Sequence, residues 1–234
     1  MKQHQFLKTI GSSAALALVA LVGMLITSRH GQASGQNAGN DEASEIQQGF
    51  AIAPVPLNLH GKNRALVGLG SYIVNAQSDC NGCHTSPDLG PEFVKGEDPY
   101  FNQHPTVVNP AAYLGGGRTF AVFPNGAVIQ SRNLTPDITG RPEGGHTFEE
   151  FKTIMRTGKD FDHIHPPCPT IGSDGCIQPF VGDGDLLQIM PWPIHANMSD
   201  RDLLAIYEYL TAIPCIAHKP NTPGLLPGVY NTCP

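Results

Sequence analysis

Charge is scarce in this chain. Asp, Glu, Lys and Arg make up 15 % of its 234 residues, and 20 acidic side chains against 14 basic ones leave a formal charge of −6. That balance denies the chain the basic surface nucleic acid demands and suits a basic protein partner instead. No internal repeat is present. The N-terminal apolar run AALALVALVGMLI, residues 14–26, is shorter than the roughly 20 residues of a membrane-spanning helix. A second CxxC is missing too, since CNGCH at residues 80–84 stands alone. Its absence counts against a structural zinc site, which takes four Cys or His ligands, usually as two close pairs.

Turn formers, by contrast, are abundant. With 26 Gly and 21 Pro, about one residue in five punctuates the chain, against roughly 12 % on average, while hydrophobic residues still reach 40 %. A modest core wrapped in long loops is expected. Residues 1–33 carry Lys2 and Lys8, then the apolar run, then Gly31-Gln32-Ala33, the grammar of an export signal; a retained anchor is the alternative. Its removal takes away Lys2, Lys8 and Arg29 and no acid, moving the formal charge from −6 to −9. Export implies a periplasmic or secreted protein, or a membrane-held one only if the segment stays. It also implies an oxidising compartment, where disulfides persist. Outside CNGCH, Cys168, Cys176, Cys215 and Cys233 allow three pairings, and the local one, 168 with 176 and 215 with 233, closes two loops poor in core.

Residues 34–62 lack periodicity and are expected to form a flexible leader, followed by a domain over 63–213 and a C-terminal extension, 214–234, tied by a disulfide. Within the domain, Leu66, Leu69, Ile73 and Ala76 recur at helical spacing, predicting a helix over 65–78 that runs into CNGCH. Gly68 and Gly70 in its interior suggest a close approach to another element or a kink. Thr147 with Glu150 is a capping box that opens a helix over 148–157, stopped by Gly158; Ser199 with Asp202 opens another over 200–212. FAVF and AVIQ, flanking Pro124-Asn125-Gly126, fit a small β-hairpin or a packed loop equally.

CNGCH admits three readings: half of a zinc site, a redox dithiol, or covalent haem attachment. A thioredoxin-like dithiol wants its CxxC at a helix N-terminus, where the dipole lowers the thiol pKa. Placement after the 65–78 helix gives the opposite sign. The haem reading uses every residue: Cys80 and Cys83 add to the vinyl groups, and His84 binds the iron. One CxxCH means one haem. The opposite iron ligand comes from Met155, Met190, Met198 or a histidine; Met190, in IMPWP, has no periodic packing role and is the favoured candidate. His163 and His165 are its rivals. These two, with His104, His146, His195 and His218, otherwise read as solvated.

CNGCHT with the lead-in GSYIVNAQSDC, SRNLTPD, FEEFKTIMRTGKD and IMPWPIHANMSDRDLLAIYEYLTAIP resemble the c-type cytochrome domains found as small periplasmic cytochromes and in cytochrome subunits of bacterial alcohol and aldehyde dehydrogenases. The resemblance spans roughly residues 63–213. It implies a mainly α cytochrome c fold of about three core helices around one covalently bound haem, with His84 and Met190 on the iron. It also implies that Arg132, Asn133 and Trp192 contact the haem propionates or edge. The insert around Cys168 and Cys176 departs from the pattern. The expected function is single-electron transfer from a dehydrogenase-type donor to an oxidase or cytochrome acceptor, without catalysis of its own. A haem enzyme or sensor with an open distal site, and a non-haem disulfide oxidoreductase using Cys80 and Cys83, are the alternatives.

Overall fold

A computed structural model describes residues 39–122, 128–162, 186–218 and 229–234. The targeting segment, the proposed Cys168–Cys176 bond, His163 and His165 lie outside the described residues. The chain divides into two units, Met1–Ser44 and Glu45–Pro234. In the first, residues 39–44 are helical.

The second unit is mainly helical and opens with helix α1, residues 45–52. Part of the stretch expected as a flexible leader is thus helical. Ile46 and Phe50, one helical turn apart, pack against the core, and the Ser71 hydroxyl donates to the Gly49 carbonyl at 2.7 Å. Two apolar side chains among polar ones give too weak a period to read from sequence, whereas the neighbouring helix supplies the missing surface. Further on, Val55 is buried and Asn58 N–H donates to the Ala212 carbonyl at 2.8 Å.

Helix α2, Arg64–Tyr72, is capped by Asn63, whose side chain accepts from the N–H groups of Ala65 and Leu66, and continues as a π-turn over Ile73–Gln77. Its two glycines answer the question the sequence raised. A Cβ on Gly70 would sit 1.9 Å from the Ala205 carbonyl oxygen, and one on Gly68 would sit 2.7 Å from Ile46. Backbone therefore passes backbone here, and no kink is needed to explain the glycines. The crossing partner is helix α6, Asp200–Leu210, capped by Ser199, which accepts from Asp202 N–H. Between and around them Val67, Val74, Leu203, Tyr209 and Leu210 are almost fully buried. Each such aliphatic chain contributes about 1.5–3 kcal/mol of transfer free energy.

Asp79 turns the chain with a left-handed φ of 45° into a separate short helix, α3, Cys80–His84. The motif thus occupies its own helical turn instead of the end of the preceding helix. Loops follow, bridged once between Phe93 and Val108. Two strands, β1 (Thr119–Val122) and β2 (Val128–Gln130), pair antiparallel with Ala121 opposite Ile129, so the hairpin alternative is the one found. Helix α4, Phe148–Thr157, has the expected capping box and ends on Gly158 at φ 70°. Its final turn packs under Trp192, the first residue of helix α5, Trp192–His195; a Cβ on Gly158 would lie 2.3 Å from the indole. Near the C-terminus Cys215 and Cys233 are disulfide-bonded. Among the described residues no helix is long and apolar enough to cross a membrane.

Candidate functional site

The α2–α6 crossing, α4 and the strands leave a cleft of about 1070 Å³, counting its solvent-open mouth. Val74, Ile129, Leu134, Phe151, Ile206 and Leu210 furnish apolar wall. Along one side lie Cys80, Cys83 and His84, and Met190 lines the same cleft.

The imidazole of His84 is set by a distant carbonyl. Gly116 N–H donates to the His84 carbonyl at 2.7 Å and Gly117 N–H to the Ser131 carbonyl at 2.8 Å, drawing the 131–134 segment alongside α3. Gly116, at φ 74°, allows this, because a Cβ there would lie 2.4 Å from the Arg132 carbonyl carbon. As a result His84 Nδ1 lies 2.8 Å from the Arg132 carbonyl oxygen. A carbonyl only accepts, so Nδ1 carries the proton and Nε2 keeps its lone pair. Burial lowers the His84 pKa to about 4, with the Arg132 guanidinium a smaller contribution in the same direction. The neutral imidazole with a fixed tautomer is the form that ligates metal.

Burial disfavours the thiolate form at both cysteines. Burial, aided by the Asp79 carboxylate, pushes Cys80 up to about 12, and burial also raises Cys83 although its surface is exposed. Cys80 does begin a helix, contrary to the expectation from sequence, but five residues of dipole do not overcome that desolvation. The wall chemistry suits a planar apolar group anchored at two sulfurs and one imidazole. Among the described residues no cluster of three or more His, Cys, Asp or Glu could hold a separate metal ion.

Arg132 lines the cleft but is buried, its guanidinium hydrogen-bonded to Asp160 and Asp162. Asn133 does not line it. Its side-chain oxygen accepts from Thr135 N–H at 2.9 Å, and its amide donates to the Ile216 carbonyl, also at 2.9 Å. Trp192 lies outside the cleft wall as well, with Nε1 donating to the Leu187 carbonyl at 3.2 Å. Met155, expected as core, is buried and also borders the cleft, whereas Met198 packs on the core elsewhere.

Two histidines expected in solvent are buried. His218 is held between Asp88 at 3.2 Å and the Gly115 carbonyl at 2.9 Å. His146 stacks obliquely on Phe161, with Nε2 3.6 Å from an Asp162 carboxylate oxygen. His195 borders the cleft, while His104 is exposed as expected. Burial of His146 belongs to a charged cluster of Arg132, Glu143, Asp160 and Asp162 that sequence reading missed. The close pair of acids Asp160 and Asp162 just after a helix stop is the signal that could have found it.

Fold and cleft define a mainly helical protein, with a small two-stranded sheet, whose largely apolar cleft is bordered by two thiols and the imidazoles of His84 and His195. In sequence the chain is similar to the gluconate 2-dehydrogenase cytochrome c subunit of Pantoea cypripedii, at 30 % identity over 149 residues, 63 % of this chain and 23 % of that protein. The chain therefore spans less than a quarter of that curated relative's length. The similarity supports a relationship to the cytochrome c family. No family model matches the chain, and no solved structure matches it.

Proposed function

We propose that the chain is a monohaem c-type cytochrome that carries single electrons, in the periplasm or outside the cell, from a dehydrogenase-type donor to a cytochrome or oxidase acceptor. The observation that supports this best is His84: its Nδ1 is committed to the Arg132 carbonyl at 2.8 Å, leaving Nε2 as a ligand in the wall of an apolar cleft. Similarity to a dehydrogenase's cytochrome c subunit points the same way. Cys80 and Cys83 are assigned to thioether attachment, His84 to the proximal iron position and Met190 to the distal one. Bound there, haem supplies one-electron iron chemistry. The chain's own part is to exclude water with its apolar walls, hold the imidazole in one tautomer and leave the Cys83 edge exposed for exchange. An acidic chain steers a basic partner toward that edge at a salt-dependent rate.

Arg132 is suited to face an anionic substituent of the cofactor, although Asp160 and Asp162 already neutralise it. Met155 borders the same cleft and is the competing thioether. Replacement decides between them. In Met190→Ala the methionine-ligated low-spin spectrum is lost and the potential falls, whereas Met155→Ala keeps both; an unchanged spectrum in Met190→Ala sinks the ligand assignment. Absence of a pyridine haemochrome from the purified protein sinks the whole reading.

A further inference from the structure

Glu143 is a buried cleft-lining acid that neither attachment nor ligation uses. The residue is 6 % exposed, borders the cleft, and among the described residues its Oε2 has no hydrogen-bond partner. Its backbone is held at φ 53°, with Gly144 and Gly145 also left-handed at 75° and 91°. That conformation belongs to a hydrogen-bonded turn, in which the N–H groups of Gly145 and His146 donate to the Pro142 carbonyl at 3.1 and 3.2 Å, and the turn sets Glu143 at the cleft.

The charges around it do not balance if it is ionised. The Arg132 guanidinium favours the ionised form of Glu143, but Asp160 and Asp162 already occupy that guanidinium. His146 lies 3.6 Å from Asp162 and 3.8 Å from Glu150, so its charge is shared among several carboxylates. Asp79 and His195 are the other titratable or charged groups on the cleft wall besides the attachment residues. A third carboxylate is thus buried beside two that already share one cation. Desolvation raises the Glu143 pKa, which Arg132 and His146 only partly oppose.

We propose that Glu143 is a redox-linked proton site: when the cleft gains an electron, the Glu143 carboxylate takes up a proton, and it releases that proton on oxidation. The inference rests on the reading of this cleft as a one-electron site. Its balance is simple. One electron arrives from the one-electron donor, one proton arrives from solvent at a Glu143 carboxylate oxygen to form O–H, and no other bond changes. Added negative charge in a low-dielectric cleft raises the cost of a nearby carboxylate, so the protonated form is favoured in the reduced state. Coupling of this kind makes the potential fall as pH rises, over the window between the oxidised-state and reduced-state pKa of Glu143. At full coupling the fall is tenfold in the reduction equilibrium per pH unit, about 59 mV for one electron.

The test is spectropotentiometric titration of the haem-loaded full chain at a series of pH values, on the parent, Glu143→Gln and His146→Gln. The expected result is a pH-dependent potential in the parent and in His146→Gln, and a flat one in Glu143→Gln with its haem spectrum retained. A pH dependence that persists in Glu143→Gln, or that disappears only in His146→Gln, overturns the proposal. So does a parent whose potential is flat across the range. Should the Gln variant fail to fold, redox-difference infrared spectra of the parent decide, since a protonated carboxyl band must grow on reduction and its absence refutes the idea. A protein without a haem spectrum defeats the cytochrome reading itself, whereas a haem spectrum with pH-independent potential defeats only the Glu143 assignment.

Discussion

Gly70→Ala puts a methyl group where α2 and α6 cross. Its Cβ would lie 1.9 Å from the Ala205 carbonyl oxygen and 2.5 Å from its carbon. Both obstacles are backbone, so no rotamer change relieves them. Reaching ordinary contact at 3.4 Å requires the helices to part by about 1.5 Å. Overpacking of a core costs about 1–3 kcal/mol, and a backbone obstacle belongs at the upper end. Alanine recovers about 1 kcal/mol of helix propensity over glycine. The net loss is then about 2 kcal/mol, or a fall in Tm of about 4–8 °C for a chain of this size. Thermal and denaturant unfolding followed by circular dichroism measures it, with Gly39→Ala, which has nothing within 4 Å, as the control that loses no stability. Because α2 leads into Asp79 and the CNGCH turn, the same variant should also shift the absorbance of the loaded protein. A Gly70→Ala protein as stable as the parent would refute the claim that backbone contact sets this crossing.

Thr147→Ala removes half of the α4 capping box, in which the Thr147 hydroxyl accepts from Glu150 N–H while Glu150 Oε2 accepts from Thr147 N–H at 2.8 Å. A loss of about 1 kcal/mol in denaturant unfolding is expected, and a change near zero would show that the cap is redundant. Asp162 has its carboxyl pulled down to about 2, chiefly by His146 and then by Arg132. It therefore contributes stability that is complete above its unfolded value near 3.9 and is lost as pH falls through about 2. With its side chain 39 % exposed, solvent screening reduces the contribution to on the order of 1 kcal/mol. The partner, His146, is raised by Asp162, so its share is complete below 6.5 and is lost as pH rises through the folded value. Asp162→Asn should flatten both limbs of the stability–pH curve, and an unaltered acid limb would exclude the pairing.

Much of the scaffold was readable because it is local. The α4 start at Thr147 and the α6 start at Ser199 were both legible, since a cap is a hydrogen bond between residues three apart and the sequence displays both partners. The same holds for Gly158 as a stop and for the excess of turns. What failed was long-range in character. The leader gained a helix because α2 offers Ile46 and Phe50 a surface that their own neighbours do not advertise. The fastening of Asn133 to the Ile216 carbonyl and the packing of Trp192 on Gly158 are likewise contacts between distant segments that no local pattern displays.

The sequence by itself determined the chemistry available: two thiols and an imidazole at a spacing that suits haem attachment, a methionine just before a Pro-Trp-Pro run, and an excess of acidic over basic side chains. Tertiary structure alone decided how that chemistry is tuned. His84 is fixed by a carbonyl 48 residues away, Arg132 is spent on two acids about 30 residues on, and Glu143 borders the cleft with Oε2 lacking a hydrogen-bond partner among the described residues. A backbone carbonyl is the same in every residue, and burial is a property of the packed chain. Neither is written in the residues that depend on it.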